Sequence, residues 1–314
     1  MTVTATTRGV TLAALMAALA RPAWWVLALA GFLVRGGIVL FLVSIVTLPS
    51  PLTLSVIFGP VVTQIYFGRV EPATAILIGF AIAAGVLWLL AGTWFAAATE
   101  VVLVRDAHVV ASDEGLPIGR PEPDGRHLVT RAACAHLLAL VPFLIVLAFG
   151  SMAIIDETIR ELLNPSDGSP VALRVLAGSV LPLVVIGVTW LLAEIVGGLA
   201  VRRVVLLDEP VFGAVGRASL DLVRRPIGAL AAPLVTTVVL AFDLVAVLLV
   251  VTIVWNDVRD RLIQPLVDPV STALGLATFA GAWLLALVVT GLIAAWRSAA
   301  MSLETDRAAI AAGA

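Results

Sequence analysis

The chain has 314 residues, of which 61% are hydrophobic and 13% charged, and its net charge is −2. Soluble domains average ~45–50% apolar and ~25% charged residues, so a mean hydropathy of +1.12 excludes a chain that hides its apolar surface from water by folding on itself. The near-neutral charge gives no reason to expect a nucleic-acid partner, all 19 basic residues are arginine, and a single cysteine, Cys134, excludes an internal disulfide.

A helix of about 20 apolar residues crosses ~30 Å of hydrocarbon. In lipid the backbone must satisfy itself, so such stretches form helices. An alanine-rich segment, 9–20, precedes the first apolar run, 23–46. That run is long enough to span and lacks a small-residue cleavage site, so it reads as a span and not a signal peptide. The run 52–67, broken by Gly59-Pro60, is too short to cross and reads as an interfacial helix in preference to a re-entrant one. Span two follows at 73–102. Residues 105–131 are the longest polar stretch, rich in Gly, Pro and Asp, and too short for a soluble catalytic domain. Spans three and four, 132–154 and 171–201, enclose Leu162-Leu163-Asn164-Pro165. Spans five and six, 228–254 and 272–296, enclose the matching Leu262-Ile263-Gln264-Pro265. Each tetrapeptide follows an acidic, Arg-containing turn and predicts a short helix at the outer interface.

Arginine sets the topology. The N-terminus, the second and fourth connections and the C-terminus hold 13 arginines, whereas the other connections hold 5 (Arg69, Arg160, Arg174, Arg259, Arg261). The Arg-rich side is expected in the cytoplasm, with both termini there and the chain in the cell (inner) membrane of a bacterium. The tetrapeptide Trp-Leu-Leu-Ala recurs in alternate spans, at Trp88–Ala91, Trp190–Ala193 and Trp283–Ala286. An arginine opens each repeat (Arg21, Arg131, Arg225), 67, 59 and 58 residues before its Trp. The expected fold class is therefore all-α and polytopic: six transmembrane helices as three parallel two-helix repeats, with amphipathic elbow helices, in one transmembrane domain, 1–314. The repeat units run over approximately 9–106, 126–209 and 212–306.

Residues 212–225 predict an amphipathic elbow. Arg217, Asp221 and Arg224 share one face, Val211, Val215, Ala218 and Leu222 another, and Asp221 is placed to pair with Arg217 and Arg225. Such a helix should lie flat in the headgroups, with Arg217, Arg224 and Arg225 as candidate contacts for anionic lipid. The string Val204-Val205-Leu206-Leu207-Asp208-Glu209-Pro210, followed by Ala214 to Arg217-Ala218-Ser219-Leu220 and Leu222 to Arg225, resembles the connector in the membrane domains attached to some bacterial glycerophosphodiester phosphodiesterases and in related six-span families. Leu220 stands where those families carry an aromatic residue, and Ala218 separates the Arg from the Ser. The resemblance implies a six-span fold and a membrane location. It brings no catalytic residue, because the phosphodiesterase barrel has no counterpart here.

Four ionisable residues fall within spans: Arg35, Glu100, Glu194 and Asp243. Such residues cost ~2.5–3.5 kcal/mol on insertion scales and are functional candidates by default. Arg35 and Asp243 share a depth and predict an ion pair, with Glu194 in the inner half of span four. They are either a substrate or proton site or a structural pair that fixes packing, and the structural role is favoured. Glu100 lies near the inner boundary. The small-residue spacings Ala273-Ala277-Gly281 and Ala81-Gly85 predict close helix contacts. Three scattered histidines and one cysteine fit no metal site, and no cofactor, nucleotide or nucleophile motif occurs. The expectation is a non-enzymatic scaffold, assembly partner or lipid-interacting membrane domain, with lipid or another membrane protein as partner. The alternative is a transporter or permease subunit with a polar path past Arg35, Asp243 and Glu194.

Overall fold

The computed structural model describes residues 7–43, 45, 59–61, 63–64, 67–113, 127–164, 166, 168–224, 226–263 and 269–311. Most of the 52–67 run, residues 114–126, Arg225 and Gln264-Pro265 lie outside the described residues. The long elements in chain order are α1 (Thr7–Ala20), α2 (Pro22–Val43), α3 (Pro72–Asp113), α4 (Leu128–Leu163), α5 (Val171–Gly178), α6 (Val180–Leu207), α7 (Val211–Arg224), α8 (Pro226–Ile263) and α9 (Pro269–Ala311). Among the described residues no strand occurs. Helices α2, α3, α4, α6, α8 and α9 are long and apolar enough to cross a membrane, which marks a multi-pass integral membrane protein.

Proline sets where most of these helices start. Four of them, α2, α3, α8 and α9, begin on Pro22, Pro72, Pro226 and Pro269. At the first helical position proline forfeits no hydrogen bond, and its fixed φ already suits the helix. A break at Ser179 between α5 and α6 places Pro182 in the first turn of α6, where it does no harm. Pro142 and Pro233 remain inside α4 and α8.

The outer ends differ from the expected interfacial helices. Helix α4 continues through Asp156–Glu161 to Leu163 as one rod of 36 residues, or about 54 Å at 1.5 Å per residue. Helix α8 likewise runs unbroken to Ile263. No Gly or Pro interrupts either segment, and pairs along the helix support it: Glu157 with Arg160 at 2.5 Å, and Asp257 with Arg261 at 3.0 Å.

The chain gathers into two compact units. The first comprises residues 1–15, 104–235 and 299–314. Its main packed pair is α4 with α6, with Ala132, Ala135 and Ala139 buried on one helix and Ala193, Gly197 and Ala200 on the other. The fit is tight enough that a Cβ at Gly197 would press on the His136 ring. The second unit comprises residues 16–103 and 236–298. There Phe41, Val247, Val251 and Ala286 form a buried cluster, with Trp283 edge-on to Phe41 at 6.3 Å. Helix α2 lies in backbone contact with two neighbours: a Cβ at Gly92 of α3 would stand 2.7 Å from the Val34 carbonyl oxygen, and one at Gly291 of α9 would stand 2.8 Å from that of Trp25.

These are not the glycines that the small-residue spacing singles out. Gly85 and Gly281 have open space where a side chain would project, and Ala81, Ala273 and Ala277 are exposed. Of the repeated tryptophans, Trp283 packs into the cluster, whereas Trp88 and Trp190 are exposed. Spacing identifies a smooth face but not what the face meets. Replacement of Gly92 or Gly291 by Leu is expected to destabilise the protein by ~1–3 kcal/mol through overpacking against backbone, while Gly85→Leu changes stability little. Unfolding in mixed detergent micelles compares the three.

Candidate functional site

The best-developed polar site is the turn that links α6 to α7. Helix α6 ends at Asp208, which adopts the left-handed conformation (φ 51, ψ 31), a common way to stop a helix. The last carbonyls of a helix lack partners within it, and Arg131 on α4 meets this need. It donates to the Asp208 carboxylate at 2.6 Å and to the backbone oxygens of Asp208 and Glu209 at 3.2 and 2.9 Å. The nearly buried carboxylate of Glu209 accepts from Arg203 at 3.0 Å and from Arg217 at 2.6 Å. Arg203 also donates to the Asp221 carboxylate. Helix α7 is thus cross-linked to the end of its preceding span: among the described residues Asp221 is held by Arg203, and Arg217 by Glu209. Hydrogen bonds between guanidinium and carboxylate groups such as these are charge-assisted and stronger than neutral ones.

On α7, Ala214 and Ala218 are buried, and the opposite side carries exposed Phe212 and Val223 with Leu220 beside them. Arg224 is exposed at the C-terminal end. Of the three headgroup candidates, Arg217 is committed to Glu209, Arg224 faces outward, and Arg225 lies outside the described residues.

The ionisable groups of the spans take local partners. Glu194 stands 3.5 Å from His136, both buried in the first unit. Glu100 accepts from Ser298 at 2.9 Å in the second. Asp243 accepts from the Thr290 hydroxyl at 2.8 Å. It makes no ion pair with Arg35 among the described residues, so the expected Arg35–Asp243 bridge is replaced by an acid–hydroxyl contact. The cause lies in α2. Trp24, Ala28 and Gly31 form its buried line, and Arg35 would be next by helical spacing. The helical path instead breaks at Gly36, whose φ of 113 lies outside the helical region. The buried line resumes at Gly37 and Phe41, and Arg35 is exposed.

Two further contacts are absent from the sequence reading. Glu161 and Arg174 form a buried ion pair at 2.8 Å in the first unit. Ser166 donates to Glu161 through its backbone N–H and its hydroxyl, each at 3.0 Å. His108 meets Asp306 at 3.2 Å. For the elbow a signal existed, since Arg202-Arg203 at a span's exit, followed by Asp208-Glu209-Pro210, offers both partners of a charged turn. For Thr290 there was none: a lone threonine in an apolar helix declares no partner.

Compared with protein-family models, with curated proteins and with solved structures, the chain matches none. Removal of the hub of the turn tests its structural weight. Arg203→Ala, which takes from Asp221 its described partner and leaves Glu209 with Arg217 alone, is expected to destabilise by ~1–3 kcal/mol, whereas Arg160→Ala, at an exposed pair on α4, stays within ~0.5 kcal/mol. Detergent-micelle unfolding of both variants provides the comparison.

Proposed function

We propose that this chain is a non-enzymatic integral membrane protein of the scaffold or assembly type, whose inner elbow recognises anionic lipid. The observation that carries this reading is the exposed apolar edge of α7, Phe212, Leu220 and Val223, on a helix whose opposite side is pinned to the protein. An elbow between consecutive spans α6 and α8 stays close to the membrane surface, and an apolar edge there is accommodated by acyl chains better than by water. Arg224 at its end supplies a cation at headgroup level. The arginine distribution orients this side, and both termini, toward the cytoplasm of a bacterial inner membrane. The likeness of the connector to phosphodiesterase-linked membrane domains fits an accessory role.

A second reading, a transporter or permease subunit, draws on the interruption of α2 at Arg35, since broken spans commonly mark solute sites. Arg35→Ala that alters solute uptake while folded protein still accumulates supports it over the scaffold.

The lipid reading is tested with the full chain reconstituted in phosphatidylcholine containing a minor fraction of phosphatidylglycerol, then gently extracted. Each arginine near the surface contributes ~1 kcal/mol, so Arg224→Glu is expected to lower co-purifying phosphatidylglycerol by about fivefold or more, and Phe212→Ser to lower it further. Retention equal to wild type in both variants overturns the reading.

A further inference from the structure

Asp243 sits near the centre of α8, in the part that belongs to the second unit. The buried line of that helix runs through Thr236, Leu240, Val247 and Val251, and Asp243 occupies the place between Leu240 and Val247. A half-buried carboxyl group is therefore set in a stripe that is otherwise apolar apart from Thr236. Its one described hydrogen bond comes from Thr290 of α9, itself fully buried. The ionisable groups on the neighbouring helices are otherwise engaged or distant: Arg35 on α2 lies off the buried line, Glu100 on α3 accepts from Ser298, and Arg297 stands two turns beyond Thr290 on α9.

An ionised carboxylate offers about four acceptor sites, and within a membrane span its lost hydration must be replaced or its charge removed. One hydroxyl does not replace it. A metal cation bound here would need several oxygen ligands, and a single carboxyl and a single hydroxyl fall short of that set. A proton needs only one acceptor. The threonine hydroxyl suits both states of the acid, because it is donor and acceptor at once. It donates to the carboxylate when the acid is ionised. When the acid is protonated, it accepts from the acid and turns its own hydrogen toward the carbonyl four residues back, that of Ala286, as helical threonines commonly do.

We propose that Asp243 and Thr290 form a reversible proton-binding site within the membrane. This goes beyond the lipid reading and does not rest on it. The site needs no movement of the backbone: one hydroxyl rotor and one proton interconvert its two states.

The test uses the full chain in phosphatidylcholine vesicles and a hydrophobic carbodiimide, which reacts with protonated carboxyls in apolar surroundings. The adduct is expected on the peptide that carries Asp243 at pH 6, falling by about tenfold per pH unit above its midpoint, and absent in Asp243→Asn. Infrared spectroscopy supplies a measurement that needs no reagent access. Wild type should show a protonated-carboxyl carbonyl band that Asp243→Asn lacks, and Thr290→Val, which keeps the acid but removes its partner, should move that band to higher frequency. Identical carbonyl regions in wild type and Asp243→Asn at every pH overturn the proposal, as does pH-independent labelling of Asp243. Because phosphatidylglycerol plays no part, failure here leaves the elbow reading standing, and the converse holds as well.

Discussion

Hydrocarbon gives a polar group nowhere to turn, and most of this molecule follows from that constraint. A backbone that cannot bond to water inside the bilayer must bond to itself, so the apolar stretches become helices and no strand occurs among the described residues. Side chains obey the same rule. Three acids of the spans meet nearby partners: Glu194 with His136, Asp243 with Thr290, Glu100 with Ser298. The stronger ionic contacts stand at the ends of the helices, where water softens the cost of gathering charge.

The turn after α6 shows how such an end can organise a larger element. One arginine from a neighbouring span caps the open carbonyls, and one nearly buried glutamate gathers two more arginines. Because each of these groups serves two or more partners, α7 is held at several points by few residues. The face of α7 turned away from these contacts keeps its apolar side chains outward. The same helix is therefore firmly held on one side and presents oil on the other, a combination suited to a surface that is itself half polar and half apolar.

Much of this organisation was legible from the residues alone, for a physical reason. Span length and composition are one-dimensional quantities, so six spans could be read directly. The helix at Val211–Arg224, too, lay in a local pattern. What escaped depended on which faces meet. The expected Arg35–Asp243 pair assumed an unbroken helix, and a single kink at Gly36 was enough to undo it. The glycine stripes on Gly85 and Gly281 were visible, but the close contacts formed at Gly92 and Gly291, because small size permits an approach without requiring one. The expected outer helices failed through a missing stop signal: with no breaker before Pro165, α4 simply kept going.

The irregular turn in α2 also frees that span from a rule that binds ordinary rods. A regular helix commits all its faces once the first few residues are placed, since every later position follows at a fixed angle. At Gly36 the backbone leaves the helical region, with φ 113, so the segments before and after it are aimed separately. A single crossing can then satisfy two sets of neighbours that no straight helix would serve together, and the glycine works as a vernier between them.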